Sequence, residues 1–126
     1  MATSSQLSAE EIAAYRATAR QRHQREQQAV AARKQRAWVV AREAAARLRQ
    51  AFRVRRVVVF GSLVHPGCFT AWSDIDMAAW GIAPAETFRA IGMAMDTDAE
   101  IAVNLVDAGA CSASLLRVIE RDGDPL

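Results

Sequence analysis

From Ser8 to about Gln50 the chain contains neither glycine nor proline, and Ala, Arg, Gln and Glu dominate. These are strong helix formers, and nothing in the stretch breaks a helix. Ser8-Ala9-Glu10-Glu11 has capping-box form, with Ser8 at the N-cap and Glu11 at N3. The pattern predicts one long N-terminal helix, or two consecutive ones, after a small polar start over residues 1–7. The helix has two characters. Between Ala9 and Arg36 the large apolar residues are only Ile12, Tyr15 and Val30, too few for a buried face. From Ala37 an apolar stripe appears, Trp38, Ala41, Ala45, Leu48 and Phe52, in the alternating steps of three and four that dock a helix on a core. Residues 1–36 are therefore expected to form a basic helical extension, and residues 37–126 the folded domain.

Charge divides farther along the chain. Residues 1–56 hold thirteen Lys/Arg against four Asp/Glu, and residues 57–126 hold three against ten, although the net charge of the chain is only +2. A basic half joined to an acidic half suggests two tasks. The run Arg16–Arg36 reads first as a solvated helix face and second as a partner or self-association surface. Direct nucleic-acid binding ranks last, because the run carries Glu26, its one neighbouring aromatic, Tyr15, stands just before it, and it has no groove-reading motif. His23 is expected to face solvent. With 52% hydrophobic residues a packed core can form. No apolar run reaches the ~18 residues of a membrane span. No secretory pattern opens residues 1–11, so a cytoplasmic location is expected. Cys68 and Cys111 form no disulfide framework or zinc spacing and read as ordinary, partly buried residues.

Three strands are predicted: Val54–Phe60 around Val57-Val58-Val59-Phe60, then Asp74–Trp80, then Ile101–Asp107. Between the second and third, Pro84 suits N1 of a helix to about Met95, with Phe88, Ile91 and Met95 on one face. After the third, Ser112 or Cys111 caps a helix through Leu115, Leu116 and Ile119 that stops at Gly123. The order α-β-β-α-β-α places the chain in the α/β class, with a small mixed sheet packed with helices behind a long N-terminal helix.

The chemistry concentrates in Phe60-Gly61-Ser62 and, after an eleven-residue loop, Asp74-Ile75-Asp76. Gly61 permits a tight turn and close backbone approach at the end of a buried strand. Ser62 opens a segment whose backbone N–H groups can face an anion. On a strand Asp74 and Asp76 project together while Ile75 points into the core. Two adjacent carboxylates repel each other, and a hard cation relieves that repulsion. Mg²⁺ favours one or two carboxylates plus substrate phosphates over a complete protein cage.

Gly-Ser, about ten residues, then Asp-hydrophobic-Asp resembles the DNA polymerase β-like nucleotidyltransferase superfamily. Val-Val-Val-Phe-Gly-Ser, Trp-Ser-Asp-Ile-Asp-Met-Ala and Val-Asn-Leu-Val-Asp resemble its minimal nucleotidyltransferase branch, the antitoxin partners of HEPN-domain toxins, over roughly residues 37–124. The resemblance implies that Gly61, Ser62 and Ser73 bind the triphosphate of ATP and that Asp74 and Asp76 are catalytic carboxylates holding Mg²⁺. It implies transfer of AMP from ATP to a tyrosine of a cognate HEPN RNase toxin, which silences the toxin. One position departs from the pattern. Active members usually carry a third carboxylate on the later strand, and alignment puts Asn104 there. An amide is no base and a weaker ligand. Glu100 shares that face and substitutes only if the strand begins early or bends; Asp107 falls on the opposite face. The alternative reading is a weak or inactive module that neutralises the toxin by binding alone. A third is a transferase acting on a small metabolite or an RNA end.

Other residues carry lesser expectations. His65 lies in the loop near the expected phosphates and reads as exposed. Arg53, Arg55 and Arg56 flank the first strand, where one of them is a candidate for reaching phosphate. Trp72 and Trp80 bracket the aspartates and read as core or rim packing ahead of base stacking.

Overall fold

The computed structural model describes residues 6–126; the part of the polar start and of the extension in residues 1–5 lies outside that range. The Gly/Pro-free stretch is a single helix, α1 (Ala9–Phe52). Its Ser8 cap forms as expected, with Oγ accepting the Glu11 N–H at 3.1 Å. It ends where Arg53 adopts a left-handed conformation, φ 54°. At 1.5 Å per residue its 44 residues span about 66 Å. The buried stripe is Ala37, Val40, Ala41, Ala44, Ala45, Leu48 and Phe52, while Trp38 sits half-buried at its edge. Small residues fill the line of closest approach, so the large indole is displaced sideways. No described residue of α1 before Ala37 is fully buried.

The strands are β1 (Arg56–Phe60), β2 (Ile75–Trp80), β3 (Val103–Asp107) and β4 (Asp124–Pro125), in the order β3-β2-β1-β4. β1 runs antiparallel to β2 and β4, and β2 runs parallel to β3, so the sheet is mixed. A parallel pair needs a crossover. It is made by a 3₁₀ turn at Pro84–Glu86 and then α2 (Thr87–Met95). Each of the three expected strands begins later than the sequence suggests. The clearest cause is at β3, where Asp98 Oδ2 accepts the N–H groups of Glu100 and Ile101 and holds that segment in a bend. β4 is not foreseeable from two residues that include a proline, but as an edge strand it tolerates one.

The two sheet faces pack differently. Val57, Val59, Ile75, Met77, Val103 and Leu105 join the core against α1 and α2. Val58, Phe60 and Ala78 pack on Ile119 of α3 (Ala113–Asp122), which starts at the Ser112 cap and stops at Gly123. A Cβ on Gly123 would lie 2.5 Å from the Ile119 carbonyl oxygen and 2.9 Å from Val58 Cγ2, so only glycine lets α3 pass so close to β1. α2 buries Ala90 and Ala94, and its large apolar face points outward, with Phe88 88% and Met95 56% exposed. Ile91 is half-buried between the two faces.

Candidate active site

Asp76 lies on the α3 face of the sheet, paired in register with Phe60 on β1 and with Asn104 on β3. Directly after Phe60, Gly61 turns at φ +76° into a short 3₁₀ turn, Gly61–Leu63, anchored by buried Leu63. The turn brings Gly61 under the Asp76 carboxylate: a Cβ on Gly61 would lie 2.6 Å from Asp76 Oδ2. Ser62 follows, half-buried. Asp74 is exposed at the mouth of β2 and Asp76 is half-buried, while Ile75 between them is fully buried in the opposite face. The alternation expected from the sequence therefore holds, and the glycine turn and the aspartate pair share one end of the two central strands.

Burial pushes the Asp76 carboxyl above the ordinary carboxylate range; the neighbouring Asn104 amide acts against this, and the charge of Asp74 adds to the rise. Two acidic groups in mutual repulsion, one of them partly desolvated, suit a hard divalent cation. No cluster of three or more His, Cys, Asp or Glu able to hold a metal forms among the described residues. The donor set is thus two carboxylates at one end of the sheet, the kind Mg²⁺ uses when phosphates and water complete its shell.

The remaining candidates fall into place around this pair. Asn104 occupies the position facing Asp76 across the parallel ladder, where the resemblance puts a third carboxylate. Glu100 lies outside β3, in the bend held by Asp98, and its charge acts on Arg36, which binds Asp98 at 2.6 Å. The early strand start that would align Glu100 with Asn104 does not occur. Asp107 lies on the other face of β3 and accepts Thr87 Oγ1 at 2.8 Å and the Gly109 N–H at 3.0 Å. The Ser73 hydroxyl is engaged in its own turn, accepting the Thr70 N–H at 2.9 Å and meeting Thr70 Oγ1 at 3.0 Å.

His65 is turned toward the end of α3, with Nε2 3.4 Å from Asp122 Oδ2. Asp122 in turn is held below the ordinary carboxylate range, first by Arg121 and then by His65. Arg53, Arg55 and Arg56 stand at the start of β1, the opposite end from Gly61. There Arg56 stacks on Trp80 at 4.2 Å and binds Glu120 at 3.0 Å. Trp72 is 90% exposed, so it stands clear of the core. Cys68 and Cys111 are free, Cys68 exposed and Cys111 half-buried. His23 is exposed, as expected, and lines a groove of about 480 Å³ with Glu26, Val30, Lys34 and Phe69, between α1 and the loop that joins the two site motifs. One contact to the site has no signal in the sequence: Arg33, forty residues earlier in the chain, donates to the Ser73 carbonyl oxygen at 3.1 Å.

No family model and no curated protein sequence matches the chain. Among solved structures, the chain is similar to a chain of the crystal structure of the toxin–antitoxin MntA-HepT, with a TM-score of 0.53 and 17% sequence identity over 70% of this chain and 69% of that one. At that identity the likeness establishes the fold, which is the nucleotidyltransferase fold to which the motifs pointed. No described helix is long and apolar enough to cross a membrane.

Proposed function

We propose that the protein is a Mg²⁺-dependent nucleotidyltransferase acting as the antitoxin of a toxin–antitoxin pair, and that it transfers AMP from ATP to a tyrosine of a HEPN-domain RNase toxin. The observation that carries the reading is the meeting of Gly61 and Asp76 at one end of the sheet, with Asp74 alongside. The fold it shares with a chain of the toxin–antitoxin MntA-HepT structure supports the biological setting. Asp74 and Asp76 would hold the cation, whose charge offsets the negative charge gathering on the phosphates. Gly61 makes room for the Asp76 carboxylate against the backbone turn, and Ser62 offers a hydroxyl. The tyrosine hydroxyl gives its proton to solvent water as its oxygen attacks the α-phosphorus in line, the bond to the bridging oxygen breaks, and pyrophosphate leaves. The chain contributes chiefly positioning and electrostatics. The arm of α1 before Ala37, exposed along nearly all of its length, is the surface we assign to that partner or to self-association. The cytoplasm is the compartment that fits such a pair.

Asn104 favours a second reading, a module that silences its partner by binding alone. A neutral amide beside Asp76 cannot take the proton of the attacking hydroxyl. Incubation with ATP labelled at the α-phosphate, Mg²⁺ and the protein encoded by the adjacent reading frame separates the two. Label on the neighbour supports transfer, whereas a stable unlabelled complex supports binding alone. Competition by the other nucleoside triphosphates tests the assignment of ATP.

A further inference from the structure

Asp74 precedes both ladders that hold β2. Pairing with β3 begins at Ile75 and pairing with β1 begins at Asp76, so the sheet holds only the peptide on the C-terminal side of Asp74, through the Ile75 N–H donated to the Ala102 carbonyl at 2.9 Å. On its other side, Thr70–Ser73 forms a turn closed by its own bonds, including Ser73 N–H to the Thr70 carbonyl at 3.3 Å and Trp72 N–H to Thr70 Oγ1 at 3.2 Å. The joint between that turn and β2 is the Ser73–Asp74 peptide. Its carbonyl oxygen is the atom that Arg33 Nη2 grips. Because a peptide unit is planar, holding that oxygen also sets the Asp74 N–H and the direction in which the Asp74 Cα leaves.

Arg33 is half-buried, on the stretch of α1 that contributes no fully buried residue. Its Nε is enclosed without a hydrogen-bond partner. An enclosed guanidinium donor left unpaired is unfavourable, and an apolar side chain would serve better if the position needed only packing.

We propose that Arg33 is a positioning residue for Asp74, which makes α1 a structural part of the candidate site. This rests on the reading that Asp74 and Asp76 hold a divalent cation. The full chain is compared with Arg33→Met, which keeps an apolar stem but removes the donors, and with Arg33→Lys, which keeps a charged donor. Mn²⁺ is the probe, followed by paramagnetic broadening of the Asp74 and Asp76 amide resonances, together with amide hydrogen exchange over residues 70–76. Arg33→Met is expected to raise exchange at Asp74 and Ile75 and to weaken Mn²⁺ binding by about 10- to 100-fold, as loss of a supporting partner typically does. Arg33→Lys is expected to recover part of both. A folded Arg33→Met chain that binds Mn²⁺ as tightly as the wild type overturns the proposal alone. So does a loss of binding shared equally by both variants with no change in exchange. A wild type that binds no Mn²⁺ overturns the cation reading itself.

Discussion

The carboxylate of Asp76 occupies the space over Gly61 that a side chain at that position would need, with Oδ2 2.6 Å from where a Cβ would stand. The glycine is therefore required twice, by its positive φ and by the aspartate above it. Gly61→Ala is expected to cost about 1–3 kcal/mol of stability from the strained backbone. It should also push the Asp76 carboxylate away from Asp74. Chemical denaturation measures the first effect and Mn²⁺ titration the second. An alanine variant with wild-type stability would contradict the turn geometry.

Asp74→Asn with Asp76→Asn should abolish Mg²⁺-dependent nucleotide binding while leaving the fold intact. The pH behaviour follows from the raised Asp76 carboxyl. A carboxyl raised in the folded state holds its proton more tightly there than in the unfolded chain. The stability it contributes is present below the ordinary carboxylate range and is lost as pH rises through the raised value. At neutral pH, without metal, charged Asp76 is a burden, so Asp76→Asn should raise the melting temperature. Metal binding should weaken on acidification at a higher pH than an ordinary carboxylate would give. Calorimetry from pH 4 to 8, with and without Mg²⁺, checks both signs.

Asn104→Asp should raise transfer to the acceptor protein. A carboxylate facing Asp76 adds a ligand and a base, and a positioned general base is worth roughly 10²–10⁴-fold in rate. The substitution also removes the amide that favours the charged form of Asp76. The metal-free variant should therefore be less stable at neutral pH than the wild type, and Mg²⁺ should stabilise it more. The gain in rate should vanish when Asp74 or Asp76 is also removed, because the three would act as one unit. Equal rates for wild type and variant in a labelled-ATP assay would count against the third-carboxylate role of position 104.

Removing residues 1–29 should leave the domain folded and weaken association. None of the described residues in that segment is fully buried, and the clasp of Arg36 on Asp98 and the contact of Arg33 with Ser73 both lie beyond it. An unchanged melting transition, with loss of the complex by size-exclusion chromatography with light scattering, is the expected result. Unfolding of the truncated chain would show that the arm contributes to the core.

Local information carried much of this protein. The Ser8 cap, the unbroken α1, the period-two placement of Asp74, Ile75 and Asp76, and the Ser112 cap are all set by residues within a few positions of one another. The meeting of Gly61-Ser62 with the aspartates was legible through the resemblance and not through local rules, because it depends on the antiparallel pairing of β1 with β2 across the loop. Tertiary structure decided what depends on distant partners. The late start of β3 follows from a bend that Asp98 caps and Arg36 clasps from another element, which removes Glu100 from the strand. The inward face of α2 went to Ala90 and Ala94 instead of Phe88 and Met95, a choice that periodicity cannot make when two faces are both apolar. The grip of Arg33 on Ser73 spans forty residues, and no spacing rule reaches across such a separation, because only the packing of α1 beside the loop brings the two together.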